Sequence, residues 1–125
     1  MEQAQDDIAK QLEYDTVMDF EYLHQVYYEV LRIEPPVYMT SNFAFQRDVR
    51  LSDGTMLPAD IPWTININAV HRDQEEWQRV DEFLPERFDS SSPLFKRPDG
   101  KPRNPLSFIP FIGGHRGCLG KTFAE

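Results

Sequence analysis

Cys118 is the one thiol in the chain, a soft metal ligand or strong nucleophile when ionised, and Gly113, Gly114, Gly117 and Gly120 crowd around it. Four of the six glycines of the chain thus fall within eight residues. Glycine opens backbone conformations closed to other residues and lets main-chain amides approach a bound group closely. The segment 108–125 reads as a glycine-rich loop running into the start of a helix. A sulfur placed there faces amide donors and the positive end of a helix dipole, which favours thiolate over thiol. Arg116, two residues away, adds positive charge. The pattern points to a cysteine held as an anion, to bind a metal or to attack an electrophile. An unreactive cysteine buried beside a glycine turn is the alternative. A nucleophile pair of Cys118 with His115 fits poorly, because the two lie three residues apart across a glycine turn with no orienting carboxylate in view.

Two weaker patterns accompany it. Glu29 and Arg32 stand three apart on a predicted helix, as neighbours able to pair; alone, such a pair reads as solvated and worth roughly a few tenths of a kcal/mol. Pro85-Glu86-Arg87-Phe88 is equally commonplace by itself. Their order is more informative: a helix with Glu-x-x-Arg, two prolines, a hairpin, Pro-Glu-Arg-Phe, then Phe-x-x-Gly-x-Arg-x-Cys-x-Gly. Chance seldom assembles all of these in 125 residues.

The elements that must position these residues follow from periodicity and punctuation. Ile8, Leu12 and Tyr14 suggest an amphipathic helix or its tail over residues 1–15. Thr16 to Asp19 resembles a capping box, and Leu23, Val26, Tyr27 and Val30 repeat at helical spacing, predicting a helix over about 18–33 with Glu29 and Arg32 at the edge of its apolar face. Pro35 and Pro36 must end it. Extended pieces are expected at 37–45, 48–51 and 55–57, the last two joined at Asp53-Gly54, a pair suited to a tight hairpin. Alternation of Trp63, Ile65 and Ile67 with polar residues predicts a strand over 63–68. Residues 71–107 lack periodicity and read as a short helical turn and a long ordered loop, anchored by Trp77, Phe83 and Phe88, with 89–104 as a solvated surface excursion.

Composition narrows the function classes. Twenty-one acidic against thirteen basic residues give a net charge of −8, the wrong sign for a sequence-independent nucleic-acid binder. A single cysteine excludes an internal disulfide framework or a multi-cysteine zinc site. No apolar run approaches the roughly 18 residues needed to cross a bilayer, and the first fifteen residues lack the features of a signal peptide.

Taken together, the three motifs resemble the C-terminal third of a cytochrome P450, a thiolate-ligated haem monooxygenase. Phe111, Gly114, Arg116, Cys118 and Gly120 match the family's haem-binding loop position by position, Glu29 and Arg32 its K-helix motif, and Pro85 to Phe88 its meander. The resemblance implies a mainly α fold with small β-sheets, incomplete in this chain and truncated at both ends. Residues 1–125 would form one partial domain: the end of the J region, a K helix over about 18–33, β hairpins over about 37–68, a meander over about 71–107, and the cysteine loop with the start of the L helix over 108–125. It further implies haem b as cofactor, Cys118 as its iron ligand and catalytic centre, Phe111, Gly114, Arg116 and Gly120 as cofactor-binding residues with Arg116 on a propionate, and Glu29, Arg32 and Arg87 as a buried ion triad.

By the same resemblance the complete protein would insert one oxygen atom of O2 into an organic substrate, with electrons from an NADPH-dependent reductase or a ferredoxin-type donor. The fragment alone would be inactive. Alternatives are a haem-thiolate isomerase or dehydratase, and a non-catalytic remnant whose cysteine is structural. Location would be the endoplasmic reticulum membrane for a microsomal-type relative, anchored by a missing N-terminal segment, and the cytoplasm otherwise. Two positions depart from the family pattern: Asn42 stands where an arginine or histidine often meets a propionate and supplies no charge, and His115 stands where proline is common. Asn68, His71 and Arg72 are expected in packing and caps, and residues 37–42 beside the substrate pocket.

Overall fold

The computed structural model describes residues 20–125, so the readings of the first fifteen residues and of the capping box at 16–19 lie outside the described residues. The first helix, α1, spans Glu21–Ile33. It stops just short of Pro35-Pro36, and its terminal turn is closed by two donors: the Glu34 amide bonds the Val30 carbonyl at 2.8 Å, and Arg72 Nη2 bonds the Ile33 carbonyl at 2.8 Å. The buried side of α1 differs from the expected apolar stripe. Leu23 and Val30 lie exposed, whereas Glu29, Leu31 and Arg32 are buried. Polar side chains are tolerated inside only when their hydrogen bonds are made, and the chain downstream of α1 supplies them.

Strands β1 (Val49–Arg50) and β2 (Met56–Leu57) pair antiparallel with Val49 opposite Leu57. The turn between them needs its glycine: Gly54 sits at φ +89°, its amide bonds the Leu51 carbonyl at 3.0 Å, and the Asp53 carboxylate accepts from the Thr55 amide at 2.9 Å. The flanking stretches form isolated bridges, Met39 with Asn66 and Phe43 with Trp63, instead of regular strands. Trp63 stacks on Phe43 and Phe45, at 4.9 and 5.3 Å between ring centroids.

The expected strand over 63–68 is therefore corrected. Asn66 accepts the Ala69 amide through its side chain at 3.0 Å and caps a short helix, α2 (Ile67–Val70), whose first residue is fully buried. Alternation ends where this cap begins.

After α2 the chain wraps around the buried side of α1 through successive turns, including 3₁₀ turns at Pro85–Phe88, Pro93–Phe95, Pro105–Ser107 and Gly114–Arg116, and finishes in α3 (Lys121–Ala124). The excursion at 89–104 lies at the surface as expected, with no residue buried, and is tied down by side-chain bonds. Gln78 Nε2 donates to the Pro93 and Lys96 carbonyls at 3.0 Å each, and the Asn104 amide donates to Glu76 Oε2 at 2.7 Å. At the centre, Tyr28 of α1, Phe88 of the 3₁₀ turn and Phe108 ahead of the cysteine loop pack with ring centroids 4.9–5.8 Å apart, and Trp77 closes the cluster. The architecture is helical with one small sheet. Among the described residues no helix is long and apolar enough to cross a membrane.

Candidate functional site

Glu29, Arg32 and Arg87 come together in the interior, each fully buried. The one carboxylate serves both guanidinium groups. Arg32 grips it as a fork, Nε on Oε2 and Nη2 on Oε1, both at 2.8 Å. Arg87 Nε reaches Oε1 at 3.1 Å, and the Leu84 amide adds a further donor at 2.9 Å. One negative charge cannot balance two positive ones, and the excess falls on backbone carbonyls. Arg32 donates to the carbonyls of His71 (3.1 Å), Val80 (2.9 Å) and Glu82 (3.1 Å), so that all of its N–H groups are used. Arg87 donates to those of Gln78, Arg79 and Glu82. Burial foremost, then Arg32, lowers the pKa of Arg87, partly offset by Glu29.

This cluster explains why residues 71–82 carry no periodicity. The carbonyls of His71, Gln78, Arg79, Val80 and Glu82 are turned onto two arginines instead of along a helix or strand. Read as a surface ion pair, Glu29 and Arg32 would face water; the structure buries them.

Three neighbours of the cluster were given no binding or catalytic role by the sequence. Arg103 lies with its Cζ 4.0 Å over the Trp77 ring, and its Nη2 donates to the Arg87 carbonyl at 2.5 Å. Burial foremost, then Arg87, pushes its pKa down to about 10, which leaves it protonated at neutral pH. Trp77, 2% exposed, donates through Nε1 to the Ser107 carbonyl at 3.2 Å. His71, fully buried, accepts the Ile109 amide hydrogen on Nε2 at 2.9 Å. Replacing Arg103 with alanine uncovers Trp77 and removes one hydrogen bond, with an expected loss of about 1–2 kcal/mol. Arg103→Lys should not restore it, since a lysine lacks the flat guanidinium. Thermal denaturation of both variants against wild type checks this, and an unchanged Tm for Arg103→Ala would contradict it.

The loop bearing Cys118 extends from this core. The Ile112 amide bonds the Ile109 carbonyl at 3.0 Å, with Ile112 at φ +58°, an uncommon conformation for a β-branched residue. Gly114 follows at φ +62°, and the Cys118 amide bonds the Phe111 carbonyl at 2.9 Å, folding the loop back on itself. Gly117 sits where a Cβ would come within 3.3 Å of the Gly114 carbonyl oxygen. The Cys118 side chain is exposed, as are Arg116, His115 and Gly114, while Phe111 is half-buried beside Tyr28, Phe88 and Phe108. Asn42 is exposed and forms part of neither group. Leu119 and Phe123, which follow the sulfur in sequence, are 102% and 97% exposed.

The donor set fits haem iron, which a single cysteine thiolate can hold while the porphyrin brings the other donors; among the described residues no three His, Cys, Asp or Glu side chains converge to hold a bare ion. The Sγ is accessible, and a Cβ at Gly120 would make ordinary van der Waals contact with it at 3.8 Å.

The structure thus presents an exposed cysteine on a glycine-bracketed loop and, in the core, a buried carboxylate shared between two arginines. The cytochrome P450 family model matches residues 1–125. Rat (Rattus norvegicus) cytochrome P450 4F6 is 35% identical over 115 residues, covering 92% of this chain and 20% of its own. Human (Homo sapiens) cytochrome P450 4F2 is 35% identical over 115 residues, 92% of this chain and 21% of its own. A mouse (Mus musculus) leukotriene-B4 omega-hydroxylase is 34% identical over 115 residues, 92% and 20%. Among solved structures, the retinoic acid-bound cyanobacterial CYP120A1 superimposes with a TM-score of 0.76 at 32% identity, covering 91% of this chain and 25% of that one. The chain belongs to the cytochrome P450 family and carries part of its fold. It spans about a fifth of the length of the curated relatives it matches.

Proposed function

We propose that this chain is the proximal, cysteine-bearing part of a haem-thiolate monooxygenase that binds haem b through Cys118. The observation that carries the reading is the loop itself: an exposed sulfur between Gly117 and Gly120, anchored through the Cys118 amide on Phe111, at the end of a chain of contacts that starts at Glu29. When bound, the iron porphyrin supplies oxygen activation, to which a sulfur donor contributes electron density that favours O–O cleavage. Cys118 would ligate the iron, and the exposed Arg116 guanidinium would meet a propionate. Gly114 and Gly120 would leave room at the loop surface, and Phe111 would hold the loop against the aromatic core. Glu29, Arg32 and Arg87 are positioning residues, fixing the meander that the loop leans on.

In the complete protein, one oxygen atom of O2 would enter an organic substrate, with electrons from a reductase or a ferredoxin-type donor. One relative is a leukotriene-B4 omega-hydroxylase, an oxygen-inserting enzyme of this kind. The test is the spectrum of the reduced carbonyl complex of the haem-loaded full-length protein. The account expects the red-shifted Soret band of thiolate ligation; a band typical of histidine ligation would overturn it.

A further inference from the structure

We infer that His71 is a positioning residue for the cysteine loop, its neutral imidazole holding the 108–111 run against the end of α1 by accepting the Ile109 amide hydrogen. This rests on the haem-thiolate reading of Cys118 only for its functional consequence; the contact itself stands on the geometry.

His71 joins the two halves of the site. Its carbonyl takes a hydrogen bond from Arg32 Nη1 at 3.1 Å, and its ring takes one from the Ile109 amide at 2.9 Å. Its imidazole also packs on Phe108, 5.2 Å between centroids. Two residues beyond Ile109, the Phe111 carbonyl receives the Cys118 amide. The path from the buried carboxylate to the sulfur therefore runs Glu29, Arg32, His71, Ile109, Phe111, Cys118. Arg87 and Arg103 support the meander and Trp77, but the ring of His71 alone among these side chains bonds the backbone of the 108–111 run.

The contact requires one protonation state. An imidazole that accepts at Nε2 carries its hydrogen on the buried Nδ1. Adding a proton would turn Nε2 into a donor aimed at the Ile109 N–H. The surroundings resist that. Burial foremost, opposed in part by the carbonyls of Arg32 and Leu31 and aided by the charges of Arg32 and Arg72, brings the His71 pKa from 6.5 down to about 4. Phe108, on the loop side, brings no charge. The folded-state value lies below the unfolded one, so the unfolded chain binds the proton first. Stability from the neutral ring is fully present above about pH 6.5 and is lost as pH falls toward 4.

The experiment compares wild type, His71→Gln and His71→Phe as full-length holoproteins. Glutamine keeps an acceptor near the position of Nε2 and does not titrate; phenylalanine keeps the ring and removes the acceptor. Two readouts are taken: hydrogen exchange of the peptide covering 108–112, and the fraction of the reduced carbonyl complex with thiolate-type absorption as pH is lowered from 7.5. In His71→Phe, exchange of that peptide should be about tenfold or more faster at neutral pH, the effect of stranding a buried donor, and the thiolate fraction should already be reduced. In His71→Gln, both should match wild type at neutral pH, and the acid midpoint should move lower. If His71→Phe fails to fold, the midpoint of His71→Gln decides. Unchanged exchange in His71→Phe, or the wild-type acid midpoint in His71→Gln, would overturn the inference. A wild-type protein with no thiolate-type absorption would instead overturn the reading of Cys118, while the exchange data would still judge His71.

Discussion

Replacing Glu29 with glutamine is expected to abolish haem incorporation in the full-length protein. The change is nearly isosteric, so no cavity opens; what disappears is, among the described residues, the one negative charge in direct contact with Arg32 and Arg87. A neutral amide can still accept from one or two of the four donors now gathered on the carboxylate, but its own NH2 group would point at a guanidinium. Removing one partner of a buried ion cluster leaves uncompensated charge and costs about 3–5 kcal/mol. Domains are stable by only about 5–15 kcal/mol, so a loss of this size empties much of the folded population or displaces the meander from α1. Either outcome removes the platform beneath the cysteine loop. The check is haem content and absorption of purified Glu29→Gln protein. A normal haem complement with an unshifted spectrum would show that the carboxylate does not support the site.

Arg32 cannot be exchanged for lysine on the same grounds. Its five N–H groups end on two carboxylate oxygens and three carbonyls contributed by residues 71 to 82. An ammonium offers three donors from one point and could not span them.

Parts of this architecture were legible in the residues and parts were not, for physical reasons. Pro35-Pro36 marks the end of α1 because proline removes donors wherever it stands, and Asp53-Gly54 marks the hairpin because a left-handed φ favours glycine in any context. Both are local rules. Alternation over 63–68 misled because Asn66 can serve a strand or cap a helix, and the choice is made by Ile67, which drops into the core. The apolar stripe of Leu23, Val26 and Val30 misled in another way, since helical periodicity marks a face without saying what it meets.

The ion cluster is the instructive case. Three residues between Glu29 and Arg32 describe a surface pair and a buried fork equally well, and what separates them is the set of carbonyls downstream, which no side-chain pattern encodes. Trp77 as an anchor and His71 in packing were legible, but what these two and Arg103 bond was not, for the same reason: each acts on a backbone atom, the Ser107 carbonyl, the Ile109 amide and the Arg87 carbonyl in turn. Sequence order carried the family resemblance where spacing alone could not.

Cys118→Ser has the other large expected effect. A serine hydroxyl is close in size, so the loop can keep the amide bond to the Phe111 carbonyl and the turn from Gly114 to Gly117, both made by main-chain atoms. Fold and loop should survive; the soft anionic donor should not. A hydroxyl is far harder to ionise than a thiol and a poor substitute for thiolate at iron. The most direct measurement is the reduced carbonyl spectrum of full-length wild type and Cys118→Ser, each loaded with haem under the same conditions. A red-shifted Soret band is expected in wild type and none in Cys118→Ser; the same band in both proteins would show that Cys118 is not the iron's ligand.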